Sequence, residues 1–587
     1  MTDTQTDPPP AQTERPSTRK PLRLWPGVLI AALQLLSMFV LPFVVPEAAI
    51  YGLLGGAVGA LAVFVWWVFF SRARWSERLG VVVLTIAAIA FMRLVVHASI
   101  AGAGQRMMFP VFAFMSVSVA LVAASVAGRR LSGGPWRAAL AASVLLACGA
   151  WGLVRTEGIT GTADSELAWR WSQTPEERLL ARDGVEPAAA TTAPSAPPPS
   201  GQNGADWPGF RGPERDGAVR GVRIATDWKA QPPAELWRRP IGPGWSSFAV
   251  AGGRLYTQEQ RGEHELVSCY DVSTGKPVWT HRDAARFYES NGGAGPRGTP
   301  TLGDGRVYTL GATGILNALR AEDGSVVWSR DVVSDTKTKV PGWGFSASPL
   351  LIDDVVVIAA GGTLAAYDRA TGGPRWLGPQ ANCCYSSPHR VTLGGVTQVV
   401  LMNGPGVVGV APADGRVLWE YKMPTGGRII QPAQTADGDL LVAQGEGADL
   451  YRIAVAERAG AWAVEERWSS SGLKPYFSDF VVHRGHAYGL DNGKIACIDL
   501  RDGAPKWDGG SYGSGQLVLL PEQDVLLVVS EQGELALVGA TPERFAELAR
   551  FPAVRGKTWN HPVLAGDTLL VRNGEEMAAF RLSPQGR

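Results

Sequence analysis

Cys269-Tyr-Asp-Val-Ser-Thr-Gly-Lys-Pro-Val-Trp279 returns in weaker copies down the C-terminal two-thirds of the chain. Ala366-Tyr-Asp-Arg-Ala-Thr-Gly-Gly-Pro-Arg-Trp376 is the nearest copy. Asp323-Gly-Ser-Val-Val-Trp328, Asp414-Gly-Arg-Val-Leu-Trp419 and Cys497-Ile-Asp-Leu-Arg-Asp-Gly-Ala-Pro-Lys-Trp507 keep the Asp-Gly turn and the Trp four residues beyond the Gly, and Trp237 and Trp468 stand in degenerate copies. Each copy reads as strand, tight turn and strand, with the Asp or Thr before the Gly expected to take the positive φ that a two-strand hairpin needs. A second landmark precedes each unit: Thr299-Pro300, Ser348-Pro349, Ser387-Pro388, Gln431-Pro432 and His561-Pro562, each followed by an apolar strand. Proline fits the first residue of a strand and few positions inside one. Successive Trp residues from 279 to 507 lie 39 to 49 residues apart, the length of one four-stranded propeller blade, about 40 to 50 residues. Apolar residues alternate in these strands, which excludes a solenoid of helices.

These landmarks predict blades near 246–280, 298–330, 347–378, 386–422, 429–468, 476–509 and 513–550. An eighth combines 560–582 with the strand around 235–238 and closes the ring with both chain ends. Eight is the expected number and seven the alternative. The propeller domain runs from Asp206 to the C-terminus, 206–587, more than one compact core holds, but feasible where every blade packs only on its neighbours.

Ahead of it, residues 1–23 read as a disordered cytoplasmic tail, polar and rich in Pro and Thr. Residues 24–154 carry apolar runs at 24–45, 48–70, 79–96, 107–127 and 136–154, each about the 17 to 25 residues that cross a bilayer as a helix. The fold class is thus an all-α transmembrane bundle of five helices followed by an all-β propeller. Arg15, Arg19, Lys20 and Arg23, then Arg72, Arg74 and Arg78, then Arg129, Arg130 and Arg137 mark one side of the membrane; the other has only Arg106 and Arg155 close by. By the positive-inside rule the N-terminus is cytoplasmic, and five spans deliver the propeller to the periplasm of a two-membrane bacterium. Arg93 and His97, beside the third span, read either as a proton or quinone site or as residues reaching the outer interface. Residues 155–205 form a linker: Thr174-Pro-Glu-Glu177 has the cap, N1 proline and N3 glutamate of a helix start, Gly184 would stop that helix, and 186–205 is an Ala/Pro/Ser/Thr spacer.

The repeat Ala/Cys-x-Asp-x-x-Thr-Gly-x-x-x-Trp at 269–279, 366–376 and 497–507 resembles that of pyrroloquinoline quinone (PQQ) propellers. That resemblance implies that each Trp docks between blades beside the Gly of a neighbouring copy. Asp206-Trp-Pro-Gly-Phe-Arg-Gly-Pro213, Gly295-Pro-Arg-Gly-Thr-Pro300 and Trp343-Gly-Phe-Ser-Ala-Ser-Pro349 look like a bacterial subfamily of PQQ-like repeat proteins. Five spans before a propeller are also similar to the layout of membrane-bound quinoprotein glucose dehydrogenases. That likeness implies PQQ with calcium or magnesium on the propeller axis and electrons passed to ubiquinone.

Loops joining one blade to the next emerge on one face and carry Trp245, Arg297, Trp343, Cys383, Cys384, Tyr385, Arg428, Tyr476, Lys557, Trp559 and His561. Aromatics with cations suit a flat anionic ligand such as a quinone tricarboxylate; the plainer reading is loop anchors and a solvated rim. Arg297, Trp343, Cys383, Cys384, Arg428, Trp559 and His561 are the candidate cofactor-binding residues. The resemblance also implies a cofactor role for the vicinal pair Cys383-Cys384, although the family's pair lies earlier in the propeller and its metal-binding and catalytic set has no match here. Cys269 and Cys497, two residues before their repeat Asp, read as buried thiols in different blades, and Cys148 as a small filler in a span.

No Cys-x-x-Cys, His-Glu-x-x-His or phosphate-loop motif occurs, and His483 and His486 are expected to face opposite sides of one strand. A net charge of +1 with no basic run beyond the cytoplasmic loops argues against nucleic acid. The expected function is a membrane-anchored periplasmic binding or scaffolding module, its face open to a protein partner or small molecule, with no assignable catalysis, metal or cofactor. The alternative is a PQQ-dependent dehydrogenase of the glucose or alcohol type, with PQQ and Ca²⁺.

Overall fold

The computed structural model describes residues 22–45, 48–161, 165–183, 206–381, 384–424, 428–445 and 447–585. The tail at 1–20, the spacer 186–205, Gly184 and Cys383 lie outside them. Two compact units divide the chain, 1–156 with 167–170 and 157–166 with 171–587.

In the first unit five helical stretches, Leu24–Val44, Tyr51–Phe70, Trp75–Met92, Met108–Arg130 and Gly133–Leu153, are long and apolar enough to cross a bilayer. The third starts ahead of the expected residue 79 because the Glu77 carboxylate accepts the Arg74 backbone N–H at 3.4 Å and closes the first turn. It ends before Arg93, which is exposed. Gly52, Gly56 and Gly59 line the second helix where a Cβ would fall 2.6–2.8 Å from Ser37, Met38 or Gln34; such small residues are what let helices approach closely in lipid. Gln34 is buried there, donating to the Met115 carbonyl at 3.3 Å and accepting from Ser118 Oγ at 3.0 Å. His97 caps the short helix Ala98–Gly102, its Nδ1 accepting the Ser99 N–H at 3.2 Å.

The second unit contains eight four-stranded antiparallel sheets, the expected eight blades. In seven the strands run from inside to outside in chain order. In the eighth, Ala234–Pro240 is the outermost strand, paired with Glu576–Arg581, while Thr568–Arg572 and Val563–Ala565 lie inside it. Both chain ends therefore close the ring.

Within the repeat, the Gly rather than the Asp or Thr before it takes the positive φ: +65° at Gly275, +73° at Gly324, +74° at Gly372, +71° at Gly415 and +73° at Gly503. The aspartate has another task. Asp271 Oδ1 accepts the backbone N–H groups of Ser273 and Thr274 at 3.1 and 3.0 Å, and Asp368 does the same for Ala370 and Thr371, which fixes the turn locally. Glycine is required for a second reason, since a Cβ on Gly275, Gly372 or Gly415 would lie 2.5–2.6 Å from the indole of Trp237, Trp328 or Trp376 in the preceding blade. Each indole N–H then donates to a carbonyl of the next blade: Trp237 to Val272 at 2.7 Å, Trp279 to Ala321 at 3.0 Å, Trp328 to Arg369 at 3.2 Å, Trp376 to Pro412 at 2.8 Å, Trp468 to Leu500 at 3.0 Å and Trp507 to Thr541 at 2.8 Å. Trp419 is the exception. The fifth blade replaces the short turn by a long hairpin, Leu450–Arg458 with Ala461–Ser470, and Trp419 bonds Gln398 Oε1 of its own blade at 2.6 Å.

The residues two before each inner strand form a second belt, nearer the axis. Ser247 N–H is accepted by Thr299 Oγ1, Thr299 by Ser348 Oγ, Ser348 by Ser387 Oγ, Ser387 by Gln431 Oε1 and Gln431 by Asp479 Oδ1, at 2.7–3.1 Å. The hydroxyl or amide ahead of each proline thus links its blade to the one before. Asp479 joins the belt without a following proline.

His483 and His486 flank a two-residue turn and are cross-strand partners, not neighbours along one strand. His483 Nε2 lies 2.7 Å from Asp524 Oδ1 and His486 Nδ1 lies 2.9 Å from the Arg484 carbonyl oxygen. Cys269 and Cys497 are buried thiols opposite Trp279 and Trp507 in separate blades.

Candidate functional site

Seven blades run outward in the same sense, so the loops returning from an outer strand to the next inner strand share one face. Half-buried aromatics line it in two groups. Trp245 and Trp559 lie with ring centroids 4.7 Å apart, and Phe477 meets Trp559 at 5.0 Å. Trp343 and Tyr385 form the other pair, at 4.9 Å. Tyr476, beside Phe477, is 39% exposed.

The cations on this face are committed to the protein's own backbone. Arg297 is buried, donating to the carbonyls of Trp343, Ala294 and Gly293 and to Glu289 Oε1. Arg428 is fully buried and donates to the carbonyls of Asn403, Gln444 and Pro424. Lys557 Nζ sits over Trp559 and Trp245 at 4.4 and 5.2 Å and donates to the Asn291 carbonyl at 3.1 Å. Burial, and then the charge of Arg297, hold its ammonium down to about 8. The start of the linker also rests here: Ile159 N–H donates to Asn291 O at 3.0 Å and Gly161 N–H to Glu531 Oε1 at 2.7 Å, the oxygen that also accepts from Trp559 Nε1. Further along the linker, the helix Pro175–Asp183 opens with the predicted box, Thr174 Oγ1 accepting Glu177 N–H and Glu177 Oε2 accepting Thr174 N–H. It docks through Glu176, which accepts from Gly262 N–H and Arg286.

A quinone tricarboxylate needs cations left over to meet its charge, and its calcium needs converging carboxylates or carbonyls. Arg297 and Arg428 donate to backbone carbonyls and to Glu289 Oε1, and among the described residues no group of three His, Cys, Asp or Glu converges as metal ligands. The described residues therefore do not fit PQQ with calcium. Cys384 is buried below the face, and its neighbour Cys383 lies outside the described residues.

His561 belongs to a different place, on the propeller axis. Residues 206–219 belong to no blade and run across the inner strands. Trp207 pairs with Val250 of the first blade, Pro208 O accepts Leu302 N–H of the second, Arg215 donates to Ser348 and Pro349 carbonyls of the third, and Glu214 meets Arg390 of the fourth. Arg211 donates to Phe480 O of the sixth blade at 2.6 Å, Val219 N–H to Leu519 O of the seventh, and Phe210 packs edge-on to His561 of the eighth at 4.9 Å. The segment plugs the axis. Arg211 Nη1 and His561 Nε2 lie 3.7 and 3.6 Å from the two oxygens of the buried Asp479. Sequence reasoning missed Arg211, Arg215, Asp479 and His389, the last being the buried first residue of the fourth blade's inner strand His389–Leu393; the register that places Ser348 two before Leu350 would have placed Asp479 two before Val481.

Fold and repeats define the class: an eight-bladed propeller built of PQQ-like repeats, in a chain whose described residues also carry five membrane-capable helices. A family model described as "Outer membrane protein assembly factor BamB" matches residues 228–380 and 263–509. The chain is similar to that assembly factor from Yersinia pestis, 24% identical over 360 residues, covering 58% of this chain and 86% of the relative. The Shewanella oneidensis protein is also 24% identical, over 376 residues, with the same coverage. Among solved structures, BamB from Moraxella catarrhalis matches 60% of this chain and 99% of its own at 13% identity and a TM-score of 0.45. Quinohemoprotein alcohol dehydrogenase from Comamonas testosteroni matches 70% of this chain and 85% of its own at 12% identity and a TM-score of 0.49.

Proposed function

We propose that the chain is an inner-membrane scaffold, its N-terminus cytoplasmic, residues 24–154 spanning the membrane and the propeller, from 206 onward, presenting a protein-binding face in the periplasm. The observation that carries this reading is the loop face itself: half-buried aromatics remain available on it while its arginines are tied to backbone carbonyls. Such a surface suits apolar and aromatic side chains of a partner, the residues that supply most of the energy at protein interfaces. The relatives named as assembly factors favour a role in protein assembly over small-molecule oxidation. The arginine-rich loops between alternate spans support the orientation. Within this reading Trp343 and Trp559 serve as partner contacts, and Arg297 and Arg428 as the struts that hold the loops.

The test is a photo-reactive residue at Tyr476 in cells, compared with the same probe at Asp323 on a remote exposed turn. A discrete protein adduct from position 476 alone is expected. Equal labelling from both positions would refute a specific face. Stoichiometric PQQ binding by the purified chain with calcium, accompanied by dye reduction with sugars or alcohols, would replace the scaffold by the dehydrogenase.

A further inference from the structure

The plug brings two guanidinium groups into the propeller interior with one carboxylate to balance them. The Arg211 and Asp479 side chains are 2% and 4% exposed, and Arg215 and His389 are 7% and 6% exposed as residues. Arg211 approaches Asp479 only to 3.7 Å. Arg211 Nη2 donates to the backbone carbonyls of Asp216 and Phe480, and Arg215 Nη1 and Nη2 to those of Pro349 and Ser348. Carbonyl dipoles solvate a guanidinium but leave its charge uncancelled. Of the other charged residues of the plug, Glu214 pairs with Arg390 and Asp216 with Arg220 at the surface, and the exposed Asp206 accepts the Gly252 N–H.

The two imidazoles cannot supply the balance. Burial and the neighbouring arginines hold His389 and His561 down to about 3, so both are neutral at pH 7. With Asp479 ionised one positive charge is in excess, and the burial that raises the Asp479 carboxyl weakens even that single counter-charge. Three buried nitrogens of the same cluster also lack any hydrogen-bond partner among the described residues: Arg211 Nε, His389 Nδ1 and His561 Nδ1. Buried polar nitrogens are paired in the great majority of cases, and an uncompensated buried ion costs several kcal/mol. One negative ion would take N–H donors from Arg211 Nε and from His389 in the tautomer that protonates Nδ1, while His561 keeps its proton on Nε2, toward Asp479.

We propose that the propeller axis holds one small monovalent anion, of the size and charge of chloride, among Arg211, Arg215, His389 and His561. The site ties the plug to the inner strands and stabilises the closed ring.

Crystals of the full chain grown or soaked in bromide should show an anomalous peak beside Arg211 and Arg215; a featureless axis overturns the proposal. In solution, the unfolding midpoint of the detergent-solubilised chain is followed as chloride replaces gluconate at constant ionic strength. It should rise with the logarithm of chloride concentration. Asp479→Asn keeps an acceptor for the Gln431 N–H and leaves two charges uncompensated, so it should bind the anion more tightly and its midpoint should begin to rise at lower chloride than that of the native chain. Arg215→Met removes the excess and should abolish the dependence. Equal dependence in native chain and Asp479→Asn overturns the site even if Arg215→Met does not fold.

Discussion

Gly372→Ala and Gly305→Ala form a matched pair that isolates the Trp dock from backbone strain. Both glycines lie in the left-handed region, at φ +74° and +69°, where an L-residue costs roughly 1–2 kcal/mol. A Cβ at Gly305 meets nothing within 4 Å; at Gly372 it would lie 2.6 Å from Cδ2 of Trp328, well inside ordinary contact. Trp328 is 7% exposed and held by its 3.2 Å bond to Arg369 O and by Tyr308 at 6.0 Å. Its indole must retreat, losing a hydrogen bond of about 1 kcal/mol and adding an overpacking penalty of about 1–3 kcal/mol. Gly372→Ala should therefore destabilise the propeller by about 3–6 kcal/mol against about 1–2 kcal/mol for Gly305→Ala. Urea unfolding of the detergent-solubilised chain, followed by tryptophan emission, measures both. Equal losses would refute the claim that these glycines exist to receive the neighbouring indole.

Ser348→Ala removes the acceptor of the Thr299 N–H and leaves that buried donor unpaired, for a loss of about 1–3 kcal/mol; Ser348→Thr should recover most of it in the same unfolding assay. Glu265 is lifted by burial from its ordinary 4.5 to about 8, so the native state holds more protons than the unfolded one. Stability should be full at low pH and fall as pH rises through that interval, and Glu265→Gln should flatten the fall. His389 and His561, neutral in the fold and depressed to about 3, act in the opposite direction. Stability should drop as pH falls below the ordinary 6.5, and less steeply in His389→Gln, read from unfolding midpoints between pH 4 and 7.

The sequence announced the propeller because its determinants are local and repeated. Trp237, Trp279, Trp328, Trp376 and Trp468 each meet a glycine turn in the next blade, so the spacing of Trp to Gly records the blade interface directly. The Ser-Pro and Thr-Pro landmarks were equally legible, since each pairs a belt residue with the start of an inner strand. What was hidden depends on distant partners. Arg297 and Arg428 looked like ligand clamps, and only the fold reveals that carbonyls of Trp343, Ala294, Asn403 and Gln444 take their donors. Arg211 and Arg215 sat inside a recognisable motif, but nothing in local spacing says that it crosses the axis to reach Phe480 and Ser348.

The position of that motif bears on function as well as on stability. A propeller offers a ligand two routes to its centre, one from each end of the axis. Here residues 206–219 are bonded to the inner strands from Val250 to Leu519, and the opposite loops carry aromatics whose neighbouring arginines are already satisfied. In the scaffold proposed above, recognition falls to the rim, where Tyr476, Trp343 and Trp559 would meet a partner without opening the axis, an arrangement suited to a surface whose shape does not change on binding.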